Sequence, residues 1–366
     1  MDIRPDRLRL LLREMLDRYS PSGKEEELLK FVADYLARAD LPVVKQPVDE
    51  HRFNLLVWPN ELDRVSLCFV GHLDTVTAYD LDQSGFRQEG EAIYGVGAAD
   101  MKAGCAAMIE AFTVLAEAGH LPDDIALALV VDEEEDNSGA RALVDEYDFS
   151  WAVIGEPTDL VPCLGHYAYL EVRLLTRGRR AHPAVPETGQ NAITGMLNLL
   201  LRFTEFAASH RGRLVYNIRD LSVFPLGFVV PDSCEAWLDL HLPPNSSIDE
   251  LKSQLEQLVK RSSEADPPFE AEILFEETHA GYRISPERPL VNTLKKVYEG
   301  IALPWAPADF RSHSDANTLW ASGVDPIILG PGRLEEAHTP QESVSFPQVV
   351  EAARIYLSLA QAMGRS

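Results

Sequence analysis

Four short apolar runs, residues 65–71, 125–131, 151–154 and 325–329, lack the strict alternation of a half-exposed strand. They read as strands covered on both faces, the pattern of a parallel sheet under helices. Each gives way to polar chemistry at its carboxyl end. His72 and Asp74 follow the first, the acidic run 132–136 the second, Glu156 the third, and GPGRLEEAHTP with His338 the fourth. Open α/β sheets hold their ligands just outside those ends. Five consecutive carboxylates usually form a solvated loop, but recurrence at four strand ends outweighs that reading.

Helical spacing marks residues 5–19 and 24–39, parted by Ser20-Pro21-Ser22-Gly23, and a buried helix over 102–118 that Gly119 ends. Strand-like segments lie at 43–48 and 54–58. The glycines Gly95 and Gly97 match neither a Walker sequence nor GxGxxG. From about residue 165 the texture changes. Strands are expected at 169–176, 222–228, 234–241 and 271–275, with helices at 188–209 and 247–262, the last opening with Ser247 and Glu250 in capping-box spacing. This α+β layer carries no carboxylate cluster at its strand ends and reads as an insertion. The chain is expected to divide into residues 1–164, an inserted domain over 165–279, and a return to the first domain over 280–366, with helices at 289–300 and 346–363.

The 366 residues, 46% of them hydrophobic, suffice for two cores. The formal net charge of −25 argues against nucleic acid or an anionic membrane as partner. No apolar leader and no bilayer-length run is seen. Cys68, Cys105, Cys163 and Cys234 form no CxxC pair, so a reduced, cytoplasmic setting is expected.

The strand-end residues His72, Glu134, Glu156 and His338, with Asp100 ahead of the 102–118 helix, supply two imidazoles and three carboxylates. That mixed nitrogen and oxygen set suits divalent zinc, cobalt or manganese and differs from a thiolate site. With one carboxylate bridging, the set serves two ions, which together lower the pKa of a water and polarise a substrate carbonyl. His72 and Asp74 share one side of their strand, so Asp74 is placed to orient the imidazole. One of the spare acids in 132–135 is available as general base.

The stretches GHLDTV, GVGAADMKAG, VVDEEEDNSGAR, IGEPTD, RRAHPAVPETGQNAI, SHSDA and EEAHTP, in this order from residue 71 to 340, resemble the M20 metallopeptidase family. Its members are dinuclear zinc aminoacylases and exopeptidases, acetylornithine deacetylases and succinyl-diaminopimelate desuccinylases among them. The resemblance implies a zinc-exopeptidase-like α/β catalytic domain and a ferredoxin-like inserted domain that acts as lid and dimer contact. It implies two zinc ions, with Asp100 bridging, His72 and Glu156 on one and Glu134 and His338 on the other. Asp74 orients, Glu133 is the general base, and a cis peptide follows Asp100. The pair could also be Glu134 and Glu135; Gly139 and Arg141 favour the first register. His182 matches a histidine that holds the oxyanion in the partner subunit, and Asn191 an asparagine near it. Where the family often has Asp-x-Arg, this chain has Asp239-Leu240-His241, which leaves Arg283 and Arg311 as candidate grips for a substrate carboxylate. The implied activity is hydrolysis of an N-acyl amino acid, with a dipeptidase, carboxypeptidase or aminopeptidase as the alternative.

Overall fold

The computed structural model describes residues 1–59, 64–78, 84–223, 227–264 and 268–364. Two amphipathic helices come first, α1 (Pro5–Leu16) and α2 (Glu26–Arg38), then β1 (Val43–Pro47), β2 (Phe53–Val57) and β3 (Arg64–His72). A hairpin of β4 (Arg87–Glu89) and β5 (Ala92–Tyr94) leads to α3 (Lys102–Glu117), β6 (Ile125–Val130), α4 (Ser138–Glu146), β7 (Asp148–Ile154) and β8 (Cys163–His166). There follow β9 (Ala168–Arg177), α5 (Ala192–Ser209), β10 (Val215–Val223), β11 (Ser233–Leu242), α6 (Ile248–Ser263), β12 (Glu270–His279) and β13 (Tyr282–Arg283). The chain closes with α7 (Pro289–Gly300), β14 (Ala308–Phe310), α8 (Asp315–Ala321), β15 (Asp325–Ile328), β16 (Ser343–Ser345) and α9 (Phe346–Met363).

Two units result. The first comprises Met1–Gly165, Ile284–Phe310 and Ser314–Ser366, and the second His166–Arg283 with Arg311–His313. The second unit therefore runs past the expected end at 279 to include β13, and it takes in three residues from the later part of the chain.

In the first unit the sheet order is β1-β2-β6-β3-β7-β15-β8, with β14 also on β8. Strands β6, β3, β7 and β15 run parallel, and β2 lies antiparallel to β6. The apolar run of β3 is central because β6 covers one edge and β7 the other. From β3 the chain crosses through α3 to β6, then through α4 to β7 on the opposite side. This is the reversal point at which open α/β sheets form a crevice. All residues of β6 are buried, as its unbroken apolar sequence requires. Residues Lys102–Leu115 of α3 are likewise buried, for the helix packs on α1, α9, β3 and β6.

In the second unit the antiparallel sheet has the order β10-β11-β9-β12. Alternate residues Leu170, Val172 and Leu174 of β9 and Ala236, Leu238 and Leu240 of β11 share a core with Met196, Leu199 and Phe203 of α5 and Leu251, Leu255 and Val259 of α6. Helix α5 starts later than the expected residue 188. Pro186–Thr188 forms a separate 3-10 turn, and the Asn191 side chain caps α5 by accepting from the N–H of Ile193 at 2.9 Å. Strand β10 starts at Val215 rather than 222, and residues 224–226 of that expected strand lie outside the described residues. The expected cap on α6 is present, with Ser247 Oγ accepting from the Glu250 N–H at 3.2 Å.

Close backbone approach fixes the strand end that carries Glu156. A Cβ on Gly104 of α3, or on Gly330 after β15, would lie inside contact distance of the Gly155 carbonyl. Helix propensity alone favours alanine at Gly104 by about 1 kcal/mol, whereas overpacking against a carbonyl costs about 1–3 kcal/mol or more. Gly104→Ala is therefore expected to destabilise the chain, read as a lower denaturant midpoint at unchanged m-value. A raised midpoint would mean that propensity governs the position.

Candidate metal centre

Strand β3 ends with His72 fully buried. Its Nδ1 lies 3.0 Å from the Asp74 backbone carbonyl and its Nε2 3.2 Å from an Asp100 oxygen, so that Nδ1 donation to the carbonyl would leave Nε2 for a cation once the Nε2 proton is displaced. The Asp74 carboxylate is farther from the ring, at 3.6 Å. It is held by other donors, the N–H groups of Glu133 (3.2 Å) and Glu134 (3.0 Å) and the Ser22 hydroxyl (2.7 Å). Asp74 thus ties the end of β3 to the acidic loop after β6, besides supplying the main-chain oxygen that sets the imidazole.

Asp100 lies between the two imidazoles. One carboxylate oxygen is 3.2 Å from His72 Nε2 and the other is 3.5 Å from His338 Nε2. Around this axis, Glu134 reaches His338 at 3.0 Å, Glu156 reaches His72 at 3.6 Å and Glu133 reaches His72 at 3.7 Å. Glu135 is exposed. The Asp100–Met101 peptide is cis. His338 and Asp132, which flanks Glu133, have positive φ of 58° and 69°, backbone conformations that L-residues tolerate only under local constraint. For Asp132 that constraint is visible in its ion pair with Arg52 at 2.5 Å.

Burial pushes the carboxyls of Glu133 and Glu156 well above their usual range, and it raises Glu134 as well. Burial acts on Asp100 in the same direction, but the hydrogen bond from His72 together with the charges of His72 and His338 outweighs it and holds that carboxyl at about 2. The hydrogen bond to Glu134 lifts the His338 ring to about 9. So many buried acids around two imidazoles are poorly compensated by protein cations alone.

The residues fit divalent ions. His72, Asp100 and Glu134 form one set of mutually close donors and His72, Glu133 and Glu156 another, each within 4.8 Å. Glu156 Oε1 is buried without a hydrogen-bond partner. An orphaned carboxylate oxygen 3.6 Å from an imidazole nitrogen is what a cation would satisfy.

The other candidates belong to the second unit. His182 is exposed in the loop after β9, and its Nδ1 accepts from the Ala184 N–H at 3.2 Å. Asn191 is exposed and occupied in capping α5. Arg283 and Arg311 are exposed. Asp239 pairs with Arg219 at 3.2 Å and accepts from the Tyr169 hydroxyl at 3.1 Å, while the His241 ring lies 5.3 Å from that of Tyr169.

Sequence reasoning missed three supports. The buried Asn137 side chain, just past the acidic run, donates to Asp315 at 3.0 Å; the SHSDA motif was the available signal. Lys102 is buried with its Nζ on the carbonyls of Met15 (3.2 Å) and Arg18 (2.9 Å), and burial lowers its pKa to about 8. Glu342, four residues after His338, accepts from the backbone ahead of Asp100, at Gly97 (2.9 Å), Ala99 (2.8 Å) and Asp100 itself (3.0 Å).

Imidazoles and carboxylates gathered at the carboxyl ends of a parallel sheet, around a position suited to cations, are the arrangement of a metal-dependent hydrolase. The chain belongs to peptidase family M20/M25/M40, whose model matches residues 68–362. It is 27% identical to a probable carboxypeptidase of Aspergillus terreus, over 96% of this chain and 85% of that one. It is 26% identical to an acetylornithine deacetylase of Klebsiella pneumoniae, over 87% of this chain and 85% of that one. A tripeptidase from Staphylococcus aureus has the same fold, with a TM-score of 0.83 at 19% identity over the full length of both chains.

Metal binding is expected to release protons. A free imidazole titrates near 6.5, whereas His338 is raised to about 9, so the metal-free chain carries a proton there at neutral pH that a cation bound by His338 would have to displace. Apparent affinity should rise with pH up to about 9. The stability that the charged ring lends the metal-free fold is complete below 6.5 and is lost as pH rises through about 9. Calorimetric metal titration in buffers of different ionisation enthalpy reads the released protons; no release between pH 7 and 8 would remove His338 from the ligand set.

Proposed function

We propose that this chain is a two-metal amidohydrolase that cleaves the amide bond of an N-acyl amino acid. The observation that carries the reading is Asp100, one carboxylate with an oxygen toward each of two imidazoles. His72 and Glu156 would hold one ion, Glu134 and His338 the other, and Asp100 both, with zinc first among metals that accept such donors. Bound there, the ions would supply Lewis acidity and a water of lowered pKa.

Glu133, buried and raised in pKa, takes the proton of the attacking water and passes it to the leaving nitrogen. Asp74 holds the Glu133 and Glu134 backbone so that one acid faces the substrate and the other the ligand set. A C-terminal peptide bond is the second reading, favoured by the similarity to the Aspergillus carboxypeptidase. Both substrates present an amide followed by a free carboxylate, for which Arg283 and Arg311 are the proposed grips. Four buried free cysteines accord with a reducing, cytoplasmic setting.

We also propose a homodimer through the second unit, in which His182 stabilises the oxyanion in the partner's site. Supporting this, β10 is an edge strand, and Leu197, Leu201, Val215 and Leu221 of α5 and β10 are exposed.

Purified, zinc-loaded protein assayed for amine release should hydrolyse N-acetyl or N-succinyl amino acids, and release from unmodified dipeptides alone would install the peptidase reading. Glu133→Gln should lower kcat by about 10²–10⁴-fold while two metals stay bound; loss of a metal instead would make Glu133 a ligand. Mixing His182→Ala with Glu133→Gln subunits should restore turnover that neither shows alone, because one intact site then forms per mixed dimer. Absence of restoration would exclude action across subunits.

A further inference from the structure

We infer that Glu342 is the positioning residue for Asp100 and thereby sets whether two ions can bind together; this rests on the two-metal reading above. The segment from Gly95 to Asp100 bends through two glycines with positive φ, 149° at Gly95 and 83° at Gly97, and ends in the carboxylate that lies between the imidazoles. The Gly97, Ala99 and Asp100 residues are buried, so their N–H groups need partners inside the protein. Glu342, only 4% exposed, serves all three, with Oε2 accepting from Gly97 and Oε1 from Ala99 and Asp100. The contact is returned once, as the Gly95 N–H donates to the Glu342 carbonyl at 3.3 Å. The remaining N–H groups of the bend go to backbone, Val96 to Ser84 and Ala98 to Gly95.

Glu342 thus occupies a nest of amide donors of the kind that binds anions, and the anion is the protein's own side chain. Its place in the sequence gives this anchor its effect. Glu342 ends a short turn over residues 339–342, closed by its N–H on the Thr339 carbonyl at 3.2 Å, and His338 immediately precedes that turn. His338 presents an imidazole to the cluster, and Glu342 holds the loop that presents Asp100. Glu342 thereby links the loop that carries Asp100 to the turn beside His338, whose Nε2 lies 3.5 Å from Asp100. Glu342 touches no reacting atom in this arrangement. It acts through Asp100.

The test is zinc titration of Glu342→Gln against a chromophoric chelator, beside the wild-type chain. A glutamine keeps the shape and one acceptor oxygen. With that oxygen on Ala99 and Asp100, its NH2 meets the Gly97 N–H, donor against donor. The second zinc equivalent should weaken by about 10–100-fold, the usual loss when a partner behind a metal ligand is removed. Glu336→Gln alters a neighbouring carboxylate that bonds Ser343 and Arg333, and it should leave both equivalents unchanged. A Glu342→Gln chain that loses thermal stability but binds both ions with wild-type affinity would overturn the proposal, since Glu342 would then be structural only. A wild-type chain that takes up fewer than two ions would overturn the two-metal reading, and the proposal with it. If Glu342→Ala also folds, as judged by circular dichroism, its loss at the second ion should equal or exceed that of Glu342→Gln.

Discussion

The constraint on which this structure depends is the burial of negative charge. Asp74, Asp100, Glu133 and Glu156 are withdrawn from water, with Glu134 partly so, around the carboxyl ends of parallel strands, where two imidazoles lie closest and Arg52 and the buried Lys102 are the cations beyond them among the described residues. Carboxylates repel one another at such range and lose hydration, so each must be pinned by a donor. Much of the surrounding architecture supplies those donors. Asp74 is held by two backbone amides and a serine, Asp132 by Arg52, and the loop below Asp100 by a glutamate from the far end of the sequence. The fold is in this sense a scaffold for keeping acids apart and aimed.

Those features that depend on local sequence could be read from it. An unbroken apolar run such as 125–130 has one good solution, a strand covered on both faces, and an apolar helix such as 102–117 has to be buried. The strand-end histidines and acids followed from that placement. What escaped the sequence was set by tertiary partners. The start of α5 is fixed by the Asn191 cap after Pro186–Thr188 has turned the chain, and nothing in the apolar spacing marks that point. Strand β10 carries an exposed pattern with little alternation, because it lies at a sheet edge with few neighbours to impose one. The link from Glu342 to Gly97 spans 245 positions, beyond the reach of any periodicity argument.

Asp74 shows how a correctly located residue can have more duties than spacing reveals. A His-x-Asp pair at a strand end invites a simple imidazole–carboxylate contact. Here the main-chain oxygen of the same residue is nearer the ring, and the carboxylate is engaged with the loop after β6. The side chain therefore holds the backbone of Glu133 and Glu134. The matched family region and the candidate metal centre share this core.

The order of the site residues along the chain also bears on synthesis. His72, Asp100, Glu133, Glu134 and Glu156 all precede the inserted unit, whereas His338 and Glu342 come after it. A nascent chain emerging amino end first therefore carries the candidate acids but a single imidazole of the cluster until the inserted unit has been made. A product terminated early would contain the acids without the turn that aligns them. The two ends of the candidate site are thus joined only by folding across the whole inserted unit.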